Sequence, residues 1–169
     1  SEKDMNHPSL KYYALPKIED IEKKEIEMAW YGYFHNWIPQ ENFYYAAKNY
    51  NFEVNPSGRS EGTYNKYASL DDVTDPLHYY MSYMKFGIGR ATSDAAHEIR
   101  DGHITREEGV QLVKSYDHEK PLKSLQATLD YLNITSEDFD AISDGFRDRR
   151  PNLWKKTNQD WELKHAVYK

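Results

Sequence analysis

The 169-residue sequence has no cysteine. That excludes disulfides and thiolate metal sites, and it fits a reducing compartment such as the cytoplasm. No apolar run is long enough to span a bilayer, and nothing reads as a signal peptide. There is no positive excess either. Lys and Arg number 22 against 28 Asp and Glu, a formal charge of −6, which argues against nucleic-acid binding, since that needs a basic face. The 8 glycines form neither a Walker A loop nor a dinucleotide fingerprint. Internal repeats, low-complexity tracts and a clear domain boundary are all missing, so a single domain over 1–169 is expected. The chain opens on Ser1 and the polar run SEKDMNHPS, as a fragment of a longer protein would.

What is present is aromatic and charged. Aromatics make up 15% of the chain, with 15 tyrosines, and charged residues 30%. Tyrosine fills space and still offers a hydroxyl, so half-buried surfaces or interfaces are expected. The length suffices for one domain with a real core.

Hydrophobic spacing predicts mainly α structure with a little β. Residues 1–9 read as a loose lead-in. Ile18, Ile21, Ile26 and Met28 fit a short amphipathic helix, and Met28–Phe34 in the aromatic run AWYGYFHNW reads as a strand. Pro39 starts a helix with Phe43, Ala46, Ala47 and Tyr50 on one side. Residues 52–72 are loop chemistry, too long for a mere connector, hence functional or mobile. Asp75, before Pro76, is placed to cap a helix bearing Leu77, Tyr80, Met81 and Met84. The next helix runs from about Thr92 to Arg100, its apolar side Ala95, Ala96 and Ile99, with Gly102 at its end. Thr105 and Glu108 form a capping box, followed by Val110, Val113 and Tyr116. Leu122, Leu125, Leu129 and Leu132 read as a core stripe. Ile134 and Phe139 fit a hydrophobic staple, with Ile142 and Phe146 continuing that face. The segment WKKTNQDWELKH reads as a short hairpin turning at Asn158-Gln159, with Trp154 and Trp161 packed on each other.

The densest chemistry lies between Tyr83 and Val113. Lys85, Gly87, Gly89 and Arg90 precede a helix. Such a turn can cradle an anion on free backbone N–H groups. Equally, Gly87 can cap the preceding helix while the charges face water, and spacing alone favours this second reading. The letters DGHITREE imitate half a calcium loop, but His97 and Ile99 would stand at its first and third ligand positions, and isoleucine offers no oxygen. Asp71, Asp72 and Asp75 can hold magnesium or pair with arginines, or simply form a turn and a cap. The seven histidines show no helix-face metal spacing, so no metal site is expected.

Three runs resemble a family. EGTYNKYASLDD (Glu61–Asp72), HYYMSYMKFGIGRATSDAAHEIRDGHITREEGVQLVKSYD (His78–Asp117) and LDYLNITSEDFDAISDGFR (Leu129–Arg147) are similar to the C-terminal region of the N-acetyl sugar amidotransferases of bacterial surface-polysaccharide synthesis. The resemblance implies a helical C-terminal part of a PP-loop α/β enzyme. Such an enzyme uses ATP and Mg2+ to activate the acetamido carbonyl of a nucleotide-linked sugar, by adenylation. Ammonia from a separate glutaminase subunit then displaces AMP and leaves an acetamidino group. The family's Ser-Gly-Gly-x-Asp-Ser PP-loop does not occur here, nor do the cysteines near that half. This chain is therefore expected to lack the nucleotide-binding half and to be inactive without it.

By the same resemblance, Lys85 and Arg90 are the expected phosphate contacts and catalytic cations. Asp94, Arg100 and Arg106 belong to the same site or support it. Tyr67, Asp71 and Asp72 are expected on the sugar-nucleotide side. A competing expectation is a small helical interaction module that binds a partner through its tyrosine-rich surface. A broad bare apolar face weighs against that module.

Overall fold

A computed structural model describes residues 8–158 and 160–169. His7, most of the lead-in and Gln159 of the expected turn lie outside them. Contacts divide the chain into two units, Ser1–Trp37 and Ile38–Lys169.

In the first unit, Leu10–Tyr13 makes a 3-10 turn and α1 spans Ile18–Lys23. The helix stops short of Ile26 and Met28 because Glu25 turns left-handed, at φ 51°, and the Ile26 N–H closes back on Ile21 O at 3.3 Å. The aromatic run corrects the sequence expectation: Tyr31–Phe34 is a single helical turn, α2, not a strand. A strand needs a neighbouring edge to take its N–H and C=O groups. The one sheet among the described residues is a hairpin at the C-terminal end. Lacking an edge, the run bonds to itself, His35 N–H to Tyr31 O at 3.1 Å. No described residue of this unit is buried. Leu15, Met28 and Trp30 are 93%, 88% and 80% exposed.

The second unit holds α3 (Pro39–Tyr50), α4 (Asp75–Phe86), α5 (Arg90–Arg100), α6 (Arg106–Tyr116), α7 (Leu125–Leu132) and α8 (Ser136–Asp148). It ends in the antiparallel hairpin β1 (Trp154–Lys156) and β2 (Trp161–Leu163). The fold is mainly α with a short C-terminal hairpin. Start and stop signals explain most boundaries. Capping boxes at Thr105/Glu108 and Thr135/Asp138 open α6 and α8. Gly87 ends α4 at φ 68°, its N–H on Tyr83 O. The capping box, with Gly102 after the Asp101 C-cap, accounts for the calcium-like letters. Asp75 does not cap α4. The N-cap is Thr74, whose N–H and Oγ1–H both donate to Asp72 Oδ1 at 2.7 Å.

The core gathers Leu77, Tyr80, Tyr83 and Met84 of α4 with Leu129, Phe139, Trp154, Leu163 and Ala166. Four expectations shift. Pro121–Ser124 is a turn, so α7 begins only at Leu125; Leu122 is 73% exposed and Leu132 49%. On α8, Ile142 faces outward while Ser143 and Arg147 are buried. On α5, Ala91, Asp94 and Ala95 are buried and Ala96 and Ile99 are not. The two tryptophans are not partners: the register pairs Trp154 with Leu163 and Lys156 with Trp161. Both indoles instead flank the Arg147 guanidinium, at 5.7 and 5.9 Å.

Candidate functional site

A carboxylate on the inward side of α5 organises the polar centre. Asp94 Oδ2 accepts from Thr63 Oγ1 at 2.5 Å and from Asn65 Nδ2 at 2.9 Å. Its Oδ1 takes Arg90 Nε–H at 2.8 Å, one helical turn away. The Arg90 guanidinium lies over the Tyr79 ring at 5.2 Å, and the Tyr79 hydroxyl is hydrogen-bonded to Ser69. Arg90 Nη1 also lies 3.5 Å from the Tyr79 hydroxyl, and the half-buried Arg90 side chain lines a cleft of about 400 Å³ with His78, Tyr79, Phe86 and Ile88. A planar cation fixed in the wall of a cleft suits an anionic group.

Two further acids fasten the long loop and the basic turn. Glu119 grips Arg59 at 2.6 and 2.7 Å and accepts Gly62 N–H at 3.0 Å. Arg59 also lies 4.4 Å over the Tyr116 ring. Asp117, 3% exposed, accepts from Gly89 N–H and Thr92 N–H, both at 2.9 Å, and from Thr92 Oγ1–H at 2.6 Å. The N-terminus of α5, the natural anion cradle, is therefore filled by the protein's own carboxylate. Of the two readings of the Gly-x-Gly turn, the structural one describes it: Gly87 caps α4, and Gly89 is glycine because a Cβ there would lie 2.6 Å from Asp117 Oδ1.

The expected site residues separate into groups. Arg90 and Asp94 are in contact. Tyr67 stands near them, stacked on Phe43 at 4.7 Å; burial, with Glu98 and Asp94 nearby, pushes its phenol up to about 12. It is a proton donor at neutral pH, not a base. Lys85 does not line the Arg90 cleft; its Nζ sits 4.5 Å over the Phe146 ring. Arg100 is at the far end of α5, about 15 Å along the axis from Arg90, with Nη2 and His97 Nδ1 2.6 Å apart. Arg106 is exposed in the first turn of α6. Asp71 and Asp72 line a second cleft, of about 440 Å³, with Arg59, Glu61 and Lys123. Ser69 lines this cleft and Tyr79 the other, so one hydrogen-bonded pair divides them. Sequence reasoning missed Asp117, Glu119, Arg59, Thr63, Asn65 and Tyr79. Only the i, i+4 spacing of Arg90 and Asp94 was a usable signal.

The grip on Glu119 gives a pH prediction. Burial opposes its ionisation, but Arg59 and the Gly62 N–H outweigh burial and hold the carboxyl below its ordinary range. A depressed folded pKa stabilises above the unfolded value and is lost as pH falls through the folded one. Screening at this partly exposed pair limits the effect to ~1 kcal/mol. Urea unfolding across acidic pH should show a shallower loss of stability in Glu119→Gln than in the wild type.

The architecture is a helical domain with a terminal hairpin, whose long polar loop is tied to α5 by the buried Asp94 and to the segment after α6 by the half-buried Glu119. Residues 61–168 match the family model "LPS biosynthesis protein WbpG-like, C-terminal domain". The chain belongs to that family of lipopolysaccharide biosynthesis proteins. No curated protein matches it. Among the described residues no helix is long and apolar enough to cross a membrane.

Proposed function

We propose that this chain is the C-terminal part of an ATP-dependent amidotransferase. The whole enzyme converts the N-acetyl group of a nucleotide-linked sugar to an acetamidino group, with ammonia from a glutaminase partner. The observation that carries the reading is Arg90, half-buried, fixed by Asp94 and lining a cleft, within a domain of a lipopolysaccharide biosynthesis family. Its charge suits a substrate phosphate or the pyrophosphate that leaves. Lys85, Arg100 and Arg106 lie outside that cleft and serve at most as a wider basic surround.

Beyond Arg90, the described residues do not form a cradle for ATP and Mg2+. The α5 N-terminus that could cradle phosphates holds Asp117, and among the described residues no group of three or more acids or histidines converges on a metal position. Nucleotide chemistry belongs to a PP-loop half supplied elsewhere in the enzyme. The bare aromatic and aliphatic side chains of the first unit support a covering half, since free-standing modules rarely leave such surface exposed. This weighs against the interaction-module reading.

The test is pyrophosphate release from ATP by the polypeptide that joins a PP-loop half to this domain. Release should require the nucleotide-linked N-acetyl sugar and fall to background when the sugar lacks the acetyl group. Equal release with and without the acetyl group would refute the reading.

A further inference from the structure

Tyr79 is buried, at 8% exposure, yet it stands outside the core cluster that takes Leu77, Tyr80, Tyr83 and Met84 of the same helix. Its neighbours are the long loop and Arg90. From the loop, Gly62 packs so closely that a Cβ there would lie 3.3 Å from Tyr79 Cβ, and the Ser69 side chain bonds the Tyr79 hydroxyl. Ser69 holds a left-handed backbone, at φ 55°, a region that residues other than glycine, asparagine and aspartate seldom enter. Strain of this kind persists where the surrounding structure imposes it, and it clusters at functional sites. Here the strained residue is the one that bonds Tyr79.

Tyr79 in turn carries Arg90. The guanidinium lies 5.2 Å from the centre of the ring, and Nη1 is 3.5 Å from the hydroxyl, which is the outer limit of a hydrogen bond. The ring face is therefore the stronger contact. Asp94 takes Nε–H, which places the head of Arg90 but leaves it free to turn about that bond. An aromatic face under a planar cation removes this freedom. A charge already aimed stabilises an anion better than one that must first reorient.

We propose that Tyr79 is the positioning residue of the Arg90 cleft: it fixes the plane of the guanidinium, and the loop fixes Tyr79 through Gly62 and Ser69. The loop thus acts on a cleft that it does not line. The effect on turnover rests on the proposed function; the effect on the guanidinium does not.

Two readouts test it. In NMR of the 169-residue chain, with the Arg90 signals identified by their loss in Arg90→Gln, Tyr79→Leu should speed rotation of the Arg90 head about Nε–Cζ by about tenfold, the scale of one cation–π contact. Ser69→Ala should speed it in the same direction while leaving the buried ring in place, so the test stands even where Tyr79→Leu does not fold. In sugar-dependent pyrophosphate release by the parent enzyme, Tyr79→Leu should lower kcat about ten- to a hundredfold, and Tyr79→Phe, which keeps the ring, should restore most of it. The same Tyr79→Leu change should cost almost nothing further in an Arg90→Gln background, because it acts through Arg90. Rotation unchanged in both Tyr79→Leu and Ser69→Ala would overturn the proposal, as would equal losses of turnover in the two backgrounds, the mark of a merely structural tyrosine. Faster rotation in variants that turn over like the wild type would keep Tyr79 as the residue that aims Arg90 and would count against the proposed function instead.

Discussion

Replacing Asp117 by alanine should destabilise the domain by about 3–4 kcal/mol. The carboxylate is almost fully buried and satisfies Gly89 N–H, Thr92 N–H and Thr92 Oγ1–H together. Each donor left unpaired costs roughly 1–3 kcal/mol, and water entering the gap returns part of that. For a chain of this size 1 kcal/mol shifts Tm by about 2–4 °C, so thermal melting should fall by about 10 °C. Asp117→Asn keeps one acceptor and should lose less. Gly89→Ala attacks the same contact from the other side, since its Cβ would also meet the Asp117 carbonyl at 2.9 Å. An Asp117→Ala variant that melts with the wild type would show that the α5 N-terminus is not held this way.

Asp94→Ala should cost a similar amount, about 3 kcal/mol. Breaking a buried charge pair usually costs about 3–5 kcal/mol. Here Arg90 is exposed enough to regain water, which favours the lower end. Thr63 and Asn65, however, lose the acceptor that ties the long loop to α5. Hydrogen exchange should therefore show lost protection at Ala91 N–H, which donates to Gly62 O across that tie, and at Ala68 N–H, held by the Asn65 side chain. Loss confined to α5 itself, with Ala68 unchanged, would mean that the loop is anchored without Asp94.

Local signals were legible in the sequence, and long-range ones were not. The Thr105/Glu108 box and the left-handed Gly87 act within a few residues, so their letters suffice. The hairpin was legible because its strands lie close in sequence. The failures each needed a distant partner. Met28–Phe34 has strand composition, but composition supplies no edge to pair with. The leucine stripe assumed a helix from Leu122, whereas the turn ending at Ser124 delays it. Arg59 and Glu119 lie 60 residues apart, and neither carries a local mark of the other. The same holds for Asp117, 28 residues from Gly89. A glycine-rich basic turn before a helix reads alike whether its anion is a phosphate or a carboxylate of the same chain. Only the fold distinguishes the two, and it fills the turn's backbone with Asp117 while Arg90 lines the neighbouring cleft.

The most direct measurement is the sugar-dependent turnover of the parent enzyme carrying Arg90→Gln. Glutamine can still donate to Asp94, and Thr63 and Asn65 still hold that carboxylate. The cation is gone, however, so the melting temperature should fall by less than in Asp94→Ala, and turnover is measured well below it. Loss of a fixed charge on a developing or leaving anion lowers turnover by about 10²–10³. A kcat/KM reduced on that scale in the still-folded variant is the predicted result. Wild-type turnover in Arg90→Gln would contradict the assignment of this cleft to the substrate.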